Sequence, residues 1–365
     1  MNRRLFIQGF LSLVVGAVCV IYAVHGMDGH AVLGALRALA PSAVALYLGT
    51  MVITHLFRTL RWEYLLRALG TSLPFRRLLP ISSVGFMAIL ALPVRLGEFV
   101  RPYLVARERN VRMSTMVGAV AVERIVDGLL ISILFFGAYL ASAGDLFSSQ
   151  LRAAAWLSLV GFVGLTTFLI LAQLWTDRTI AIALRLTLVQ WLAPARAPAI
   201  DEKLRALISG FRALADRRNF SIFLIQSVIY WTSTGVGMWI LARHMNLPIS
   251  LGAAFVIMAF TGVVLTLPNS PGLVGQFHAA IKMGLTAFVP TAVVNSDGMA
   301  YAIVLHGIQT LWYISAGLLS LPALSRAGVH VSLKDAVRES THAAEVEEGE
   351  SVETAESVKT AGSVD

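Results

Sequence analysis

LLPISSVGFMAILALPVRLGEFVRPYLVARERNVR, residues 78–112, decides how the chain is read. An apolar run from Pro80 to Pro93 ends abruptly at Arg95, Glu98 and Arg101, with Gly97 between the first two. The run is too short to cross a bilayer as a helix, which takes roughly 20 residues. It is also too apolar to be left in water. A short hydrophobic segment bracketed by prolines and followed by charges suits a re-entrant hairpin. Interrupted backbone at membrane depth is tolerated only where protein buries it or where it lines a cavity. The stretch therefore reads as the wall of a polar site inside a membrane protein.

The rest of the chain is equally apolar. Of its 365 residues, 57% are hydrophobic and 14% charged, and the mean hydropathy is +0.74. Soluble domains carry about 25% charged residues, so the fold class is an all-α polytopic membrane protein. The single cysteine, Cys19, excludes an intramolecular disulfide and any cysteine-based metal site. Leu5–Val24 follows Arg3 and Arg4 as a signal peptide would, but it is long enough to span and lacks a small-x-small cleavage site. It is read as the first helix.

The net charge of +8 is unevenly distributed. From Ser325 onward, Arg326, Lys334, Arg338 and Lys359 stand against nine Asp/Glu, a balance of −5 that leaves +13 for the remainder. The division is a transmembrane domain over 1–324 and an acidic tail over 325–365. The tail has no aromatic residue and is expected to be disordered and cytoplasmic. The basic body suits phosphate headgroups on the cytoplasmic face, and it also suffices simply to set topology.

Six spans are expected: Leu5–Val24, Pro41–Phe57, Met116–Ala141, Ala153–Trp175, Phe220–Leu241 and Met299–Leu321. Three further apolar segments, Pro80–Pro93, Ile249–Pro268 and Leu273–Val289, form two broken or re-entrant elements and bring the total to nine. Basic loops (58–78, 95–112, 176–219) alternate with poor ones (25–39, 142–152, 242–248, 290–298) if the N-terminus is cytoplasmic and 80–93 returns to the side it entered from. Both termini are then cytoplasmic. Whether 249–268 and 273–289 are full spans or a hairpin is open at this stage. Leu204, Leu207, Ile208, Phe211 and Leu214 fall at helical spacing, which suits an amphipathic helix on the leaflet or packed beneath the domain.

Leu90-Ala91-Leu92-Pro93 is echoed by Leu265-Thr266-Leu267-Pro268, each ending an apolar run and followed by glycine and polar residues. On the topology above the two enter from opposite faces, as inverted repeats do in transporters.

Charge inside the apolar segments marks the candidate site. Glu123, Arg124 and Asp127 share part of one helix surface, and each charge in a span costs at least about 2.5 kcal/mol on insertion scales. A cavity lined by these residues and by the arginines of 95–101 would explain them; an interfacial position in water is the alternative. Lys282 and His278 lie after the Pro271-Gly272 break. They either line the same cavity and meet a phosphate, or Lys282 snorkels and His278 is a core residue. His306 and Gln309 read as helix–helix glue, and Trp62 and Trp312 as packing or belt residues. There is no phosphate-binding G-x-x-x-x-G-K-[ST], no G-x-G-x-x-G, no H-E-x-x-H and no G-x-S-x-G. Neither a cofactor, a metal nor a nucleic acid is expected, and no catalytic group is assigned.

The chain resembles the flippase-like transmembrane family of lysylphosphatidylglycerol synthases. The matching pieces are Arg58-x-x-Arg61-Trp62, Leu92-Pro93-Val94-Arg95-Leu96-Gly97-Glu98-x-x-Arg101, Glu123-Arg124-x-x-Asp127 and Pro268-x-x-Pro271-Gly272-x-x-Gly275, in order across residues 1–324. The resemblance implies a bacterial inner-membrane protein whose partners are membrane lipids and which moves an anionic or glycosylated lipid between leaflets. Arg61, Arg95 and Arg101 would attract the lipid phosphate. Glu98, Glu123 and Asp127 would hold those arginines and carry a proton, and Arg124 belongs to the same network. Pro93, Gly97, Pro268, Pro271, Gly272 and Gly275 would supply hinges and close backbone approach. Two departures stand out: His278 occupies a position where the family often has Glu, and only about 40 residues follow the last span, so no aminoacyltransferase domain is expected. Two rivals remain: a membrane enzyme using Glu98 and Glu123 as acid and base, and an accessory subunit docking a synthase through the 200–216 helix.

Overall fold

The computed structural model describes residues 3–92, 97–141, 149–178, 181, 216–265 and 270–328, and every regular element among them is helical. In chain order the helices are α1 (Arg3–Val24), α2 (Gly29–Arg37), α3 (Pro41–Ala68), α4 (Phe75–Ala91), α5 (Val100–Arg109), α6 (Met113–Ala141), α7 (Ser149–Leu174), α8 (Arg217–His244), α9 (Leu251–Val264), α10 (Gln276–Leu285) and α11 (Thr291–Arg326). Helix α11 contains a π turn at Val294–Gly298. Among the described helices, Pro41–Ala68 and Thr291–Arg326 are each long and apolar enough to cross a bilayer. Ser12–Val24 with Gly29–Arg37, bent by 86°, would make a third such element.

Local chemistry sets the boundaries. Asp28 caps α2 by accepting from the His30 and Ala31 N–H groups at 3.0 Å. Asp216 caps α8, and the Asn219 side chain and backbone N–H hold its carboxyl below the usual carboxylate value. Ser250 caps α9 through Ala253 N–H at 3.1 Å. Pro41 opens α3, where its missing N–H costs nothing. Asn110 closes α5 in the left-handed region at φ 51°.

Several boundaries differ from those read off the sequence. The second helix does not stop at Phe57: it continues through Arg58 and Arg61 to Ala68. Those arginines depress hydropathy and mimic a loop, but inside the fold they have partners. The 25–39 loop contains α2. Pro80 lies within α4, which begins at Phe75. Helices α9 and α10 have 14 and 10 residues, each shorter than the roughly 20 residues a span requires. The pattern at 204–214, the residues Pro93, Arg95, Thr266, Leu267 and Pro268, and the tail beyond 328 lie outside the described residues.

Helix lengths repeat. Helices α3, α4, α5 and α6 run long, short, short, long, and α8, α9, α10 and α11 do the same. Each of the first three starts recurs 176 residues later: Pro41 and Arg217, Phe75 and Leu251, Val100 and Gln276. Packing obeys the same exchange. Helix α3 lies along α8 in the most extensive helix pair of the fold. Helix α4 packs on α11 as α9 packs on α6, and α4 touches α5 as α9 touches α10. The α3–α8 seam is tight because Gly237 leaves room for Thr50 and Tyr47, and Thr54 Oγ1 and Ser233 Oγ meet across it at 3.0 Å.

Two apolar cores flank this seam. One gathers Trp62, Leu65 and Leu66 of α3 with Ile81 and Val84 of α4, Leu104 of α5 and Met116 and Val122 of α6. The other gathers Tyr47 and Met51 of α3 with Leu241, Ile257, Ile281, Tyr301 and Leu305. Trp231 of α8 packs against both. Helix α3 thus belongs to one core by its first half and to the other by its second.

Candidate functional site

The polar centre lies where α3, α5, α6 and α8 meet. Glu123 and Asp127 sit one turn apart on α6, so their carboxylates point the same way. Between them and α3 lies Arg61, with no exposed surface. Arg61 Nη1 donates to Asp127 Oδ1 at 2.5 Å, and Nη2 donates to Asp127 Oδ2 at 3.0 Å and also to Glu123 Oε1. Nη1 further donates to Ser227 Oγ of α8 at 3.3 Å. Trp62 Nε1 donates to Glu123 Oε2 at 2.8 Å, and Trp231 Nε1 donates to Asp127 Oδ1 at 2.8 Å. Arg101, 5% exposed, reaches in from α5 and donates from Nη2 to Glu123 Oε2. Its guanidinium lies 4.0 Å from the Trp62 ring centroid. Buried ions are tolerated only when paired and hydrogen-bonded in this manner.

This pairing uses one arm of Arg101. The other, Nη1, is buried without a hydrogen-bond partner among the described residues. Arg101 lines a narrow cleft together with Gly85, Phe86, Ile89, Gly97, Glu98, Val120 and Arg124. Arg124 stands at its rim, its side chain 38% exposed and 3.7 Å from Glu123. The glycines make the geometry possible. A Cβ on Gly85 would lie 2.7 Å from Arg101 Cβ, and a Cβ on Gly97 would collide with the Ala88 carbonyl and the Ile89 nitrogen. Arg95 and Pro93 fall just before Gly97 in the chain, outside the described residues.

The second break has a different construction. Gly272 (φ 65°), Leu273 (φ 58°) and Gly275 (φ 82°) adopt left-handed backbone around the Pro271–Leu273 turn. Gly275 lies so close to α1 that a Cβ would sit 2.7 Å from Gly16 O. His306 donates from Nε2 to Gly272 O at 2.9 Å and stacks on Phe277 at 5.0 Å, and His278 meets His306 edge-on at 4.8 Å. Lys282 Nζ donates to Tyr22 O and Ala23 O at 3.1 Å and to His25 O at 2.5 Å. All three ammonium protons are thereby committed to the C-terminal end of α1. Of the residues singled out from sequence, the fold brings together Arg61, Arg101, Glu123, Arg124 and Asp127 around the Gly97–Glu98 cleft. Lys282 and His278 form a separate cluster with α1 and α11.

Sequence reasoning missed Trp62 and Trp231 as donors. Trp62 is not a belt residue: it is fully buried with its N–H on Glu123. An indole one position after a buried arginine was the available signal. Trp312 likewise donates, to His55 Nδ1 at 3.2 Å, and Gln309 donates to Tyr47 Oη at 2.7 Å. Among the described residues no three His, Cys, Asp or Glu side chains gather as metal ligands.

The described residues form a helical domain around a buried arginine–carboxylate cluster, and the sequence as a whole shows its class. It belongs to the family described as the lysylphosphatidylglycerol synthase TM region, whose profile matches residues 9–317. The chain is thus a membrane protein with transmembrane helices. It is similar to Glycosyltransferase AglD of Haloferax volcanii, 25% identical over 377 aligned residues that cover 95% of this chain. The alignment covers 58% of that relative, so the chain spans little more than half of its length. No solved structure matches.

Proposed function

We propose that this protein moves a lipid with a phosphate-bearing headgroup, anionic or glycosylated, between the leaflets of a bacterial inner membrane. The observation that carries the reading is Arg101 Nη1, a buried charged N–H with no hydrogen-bond partner among the described residues, beside the Gly97–Glu98 cleft. A buried N–H left unsatisfied costs about 1–3 kcal/mol unless a ligand completes it. The family match supports a lipid-related role.

In this reading α1, α3, α6, α7, α8 and α11 span the membrane, and the pairs α4–α5 and α9–α10 enter and return. Both termini are cytoplasmic. Helices α3 and α8 then run in opposite directions, so the two long-short-short-long sets are inverted copies meeting at the α3–α8 seam. Arg61 acts as the strut, since Asp127, Glu123 and Ser227 occupy its terminal nitrogens. Arg101 offers its remaining arm to the headgroup. Full-length protein in liposomes carrying a fluorescent phospholipid, read with an impermeant quencher, should expose inner-leaflet lipid to the quencher. Arg101→Gln should abolish this, and unchanged exposure in that variant would refute the assignment.

A second reading draws on the name of the Haloferax relative. The chain would then be the membrane portion of a machine transferring sugar to or from a lipid-linked substrate, acting with a partner synthase. Lipid extracts of a deletion strain separate the two. A missing glycolipid favours the transferase machine, and an intact glycolipid on the wrong leaflet favours movement.

A further inference from the structure

His55 stands where α3, α4 and α11 meet, outside the arginine–carboxylate cluster, and is buried. Trp312 of α11 donates to its Nδ1 at 3.2 Å, and Ser83 Oγ of α4 lies 2.9 Å from its Nε2. The Ser83 hydroxyl donates in turn to Leu79 O at 2.9 Å. These contacts admit one protonation state. An indole N–H only donates, so Nδ1 keeps its lone pair. The Ser83 proton is already given to a carbonyl, so the proton between Ser83 and the ring belongs to Nε2. His55 is therefore a neutral imidazole with both nitrogens engaged. Arg58, three residues on, shares the Phe86 and Tyr313 rings with it. Among the described residues no carboxylate pairs with His55 to offset a second cation there.

The same ring touches the cleft wall. Phe86 of α4 meets His55 edge-on, with centroids 5.3 Å apart. Tyr313 of α11 stacks on His55 at 5.9 Å and meets Phe86 at 5.7 Å. Phe86 lines the cleft beside Gly97 and Glu98, and the Arg101 guanidinium lies 5.5 Å from its centroid. Helices α4 and α11 approach closely here, because Gly317 leaves room for the Met87 side chain. Trp312 packs against the core around Tyr47 and Leu305, whereas Met87, next to Phe86, belongs to the core around Trp62. The hydrogen-bonded row Trp312–His55–Ser83 thus runs from one core to the other.

We infer that His55 is a positioning residue, a fixed neutral bridge through which α11 holds the Phe86 wall of the Gly97–Glu98 cleft. Which ligand the cleft takes does not enter. No residue of α11 lines the cleft, so Trp312 acts on it through the imidazole. With its two nitrogens tied to different helices, the ring cannot turn, and Phe86 packs against a surface of set orientation. Breaking the Trp312–His55 bond frees the imidazole to rotate, and Phe86 loses that support. A relay that picks up and passes protons needs a nitrogen free to accept one, and His55 has none.

Cysteine labelling of the purified full chain in detergent tests this without requiring transport. In a Cys19→Ser background, Val120→Cys places a thiol in the cleft wall. In a separate chain, Ala254→Cys places one in the core around Ile257. Maleimide labelling of each is followed at a single pH. His55→Phe and Trp312→Phe should each speed labelling at 120 by about fivefold, the factor for roughly 1 kcal/mol of hydrogen bond, and leave labelling at 254 unchanged. The double variant should be no faster than His55→Phe, because both substitutions remove the same bond. His55→Asn, which keeps an acceptor for the indole, should stay near the parent rate. Circular dichroism confirms that each variant is folded. Nitrogen-15 NMR of histidine-labelled protein, with the His55 signals identified by their loss in His55→Asn, should show one protonated and one bare nitrogen between about pH 6 and 8, the range in which an ordinary imidazole titrates. Unchanged labelling at 120 in folded His55→Phe, equal acceleration at 120 and 254, additive effects in the double variant, His55→Asn as fast as His55→Phe, or a His55 ring that takes a second proton in this range overturns the inference.

Discussion

Arg61 of α3 and Glu123 of α6 form an ion pair in which neither side chain has any exposed surface. The pair ties the seam helix to the helix bearing the other carboxylate. Glu123 is also the acceptor for Trp62 and Arg101. It is therefore the hub: three donors from two other helices converge on its two oxygens.

Removing that hub should be severe. Glu123→Gln keeps the shape but leaves Arg61 and Arg101 short of a counter-ion, a change that costs about 3–5 kcal/mol when one partner of a buried pair is lost. Thermal unfolding in detergent should show a large fall in midpoint. A wild-type midpoint would mean that the carboxylate does not organise the centre.

Trp62→Phe removes one N–H from Glu123 while keeping most of the ring packing. About 1 kcal/mol should be lost, the net worth of a single hydrogen bond with its partner still otherwise satisfied. Trp231→Phe should behave alike through Asp127. The same unfolding assay reads both, and losses as large as that of Glu123→Gln would show that the indoles do more than donate.

Lys282→Met separates two roles that sequence alone leaves open. The substitution removes three hydrogen bonds to the end of α1. Hydrogen exchange should rise over residues 22–28, by a free energy of roughly 1–3 kcal/mol, while lipid binding at the Arg101 cleft stays as it was. Lost lipid binding with unchanged exchange would return Lys282 to the headgroup site.

Gly97→Ala should be more damaging than Gly85→Ala. At Gly97 the new Cβ would lie 2.2 Å from the Ala88 carbonyl of α4, whereas at Gly85 it would lie 2.7 Å from Arg101 Cβ, a smaller overlap. Overpacking of this kind costs about 1–3 kcal/mol. Gly49→Ala, with nothing within 4 Å, serves as the neutral control in the same unfolding series.

The membrane class and the Glu123–Asp127 face were legible because charge at i and i+4 inside an apolar run has few explanations. The extent of α3 was not. Arg58, Arg61 and Arg67 lower its hydropathy, and nothing local shows that Asp127, 66 residues away, will neutralise Arg61. Lys282 was ambiguous for a similar reason, since its acceptors are the carbonyls of a helix about 260 residues earlier. The Leu-x-Leu-Pro echo was faint in sequence. The recurrence of helix lengths and packing partners is what supports the proposed repeat, and it lies in backbone architecture that sequence alone does not display.

The central claim is that the Gly97–Glu98 cleft receives a lipid headgroup on Arg101. A cryo-electron microscopy map of the full chain in lipid nanodiscs containing phosphatidylglycerol tests it most directly. The account predicts headgroup density within hydrogen-bonding distance of Arg101 Nη1, with acyl chains leading out to the bilayer. A cleft closed by the 93–96 segment, with lipid confined to the outer surface of the helices, would contradict it.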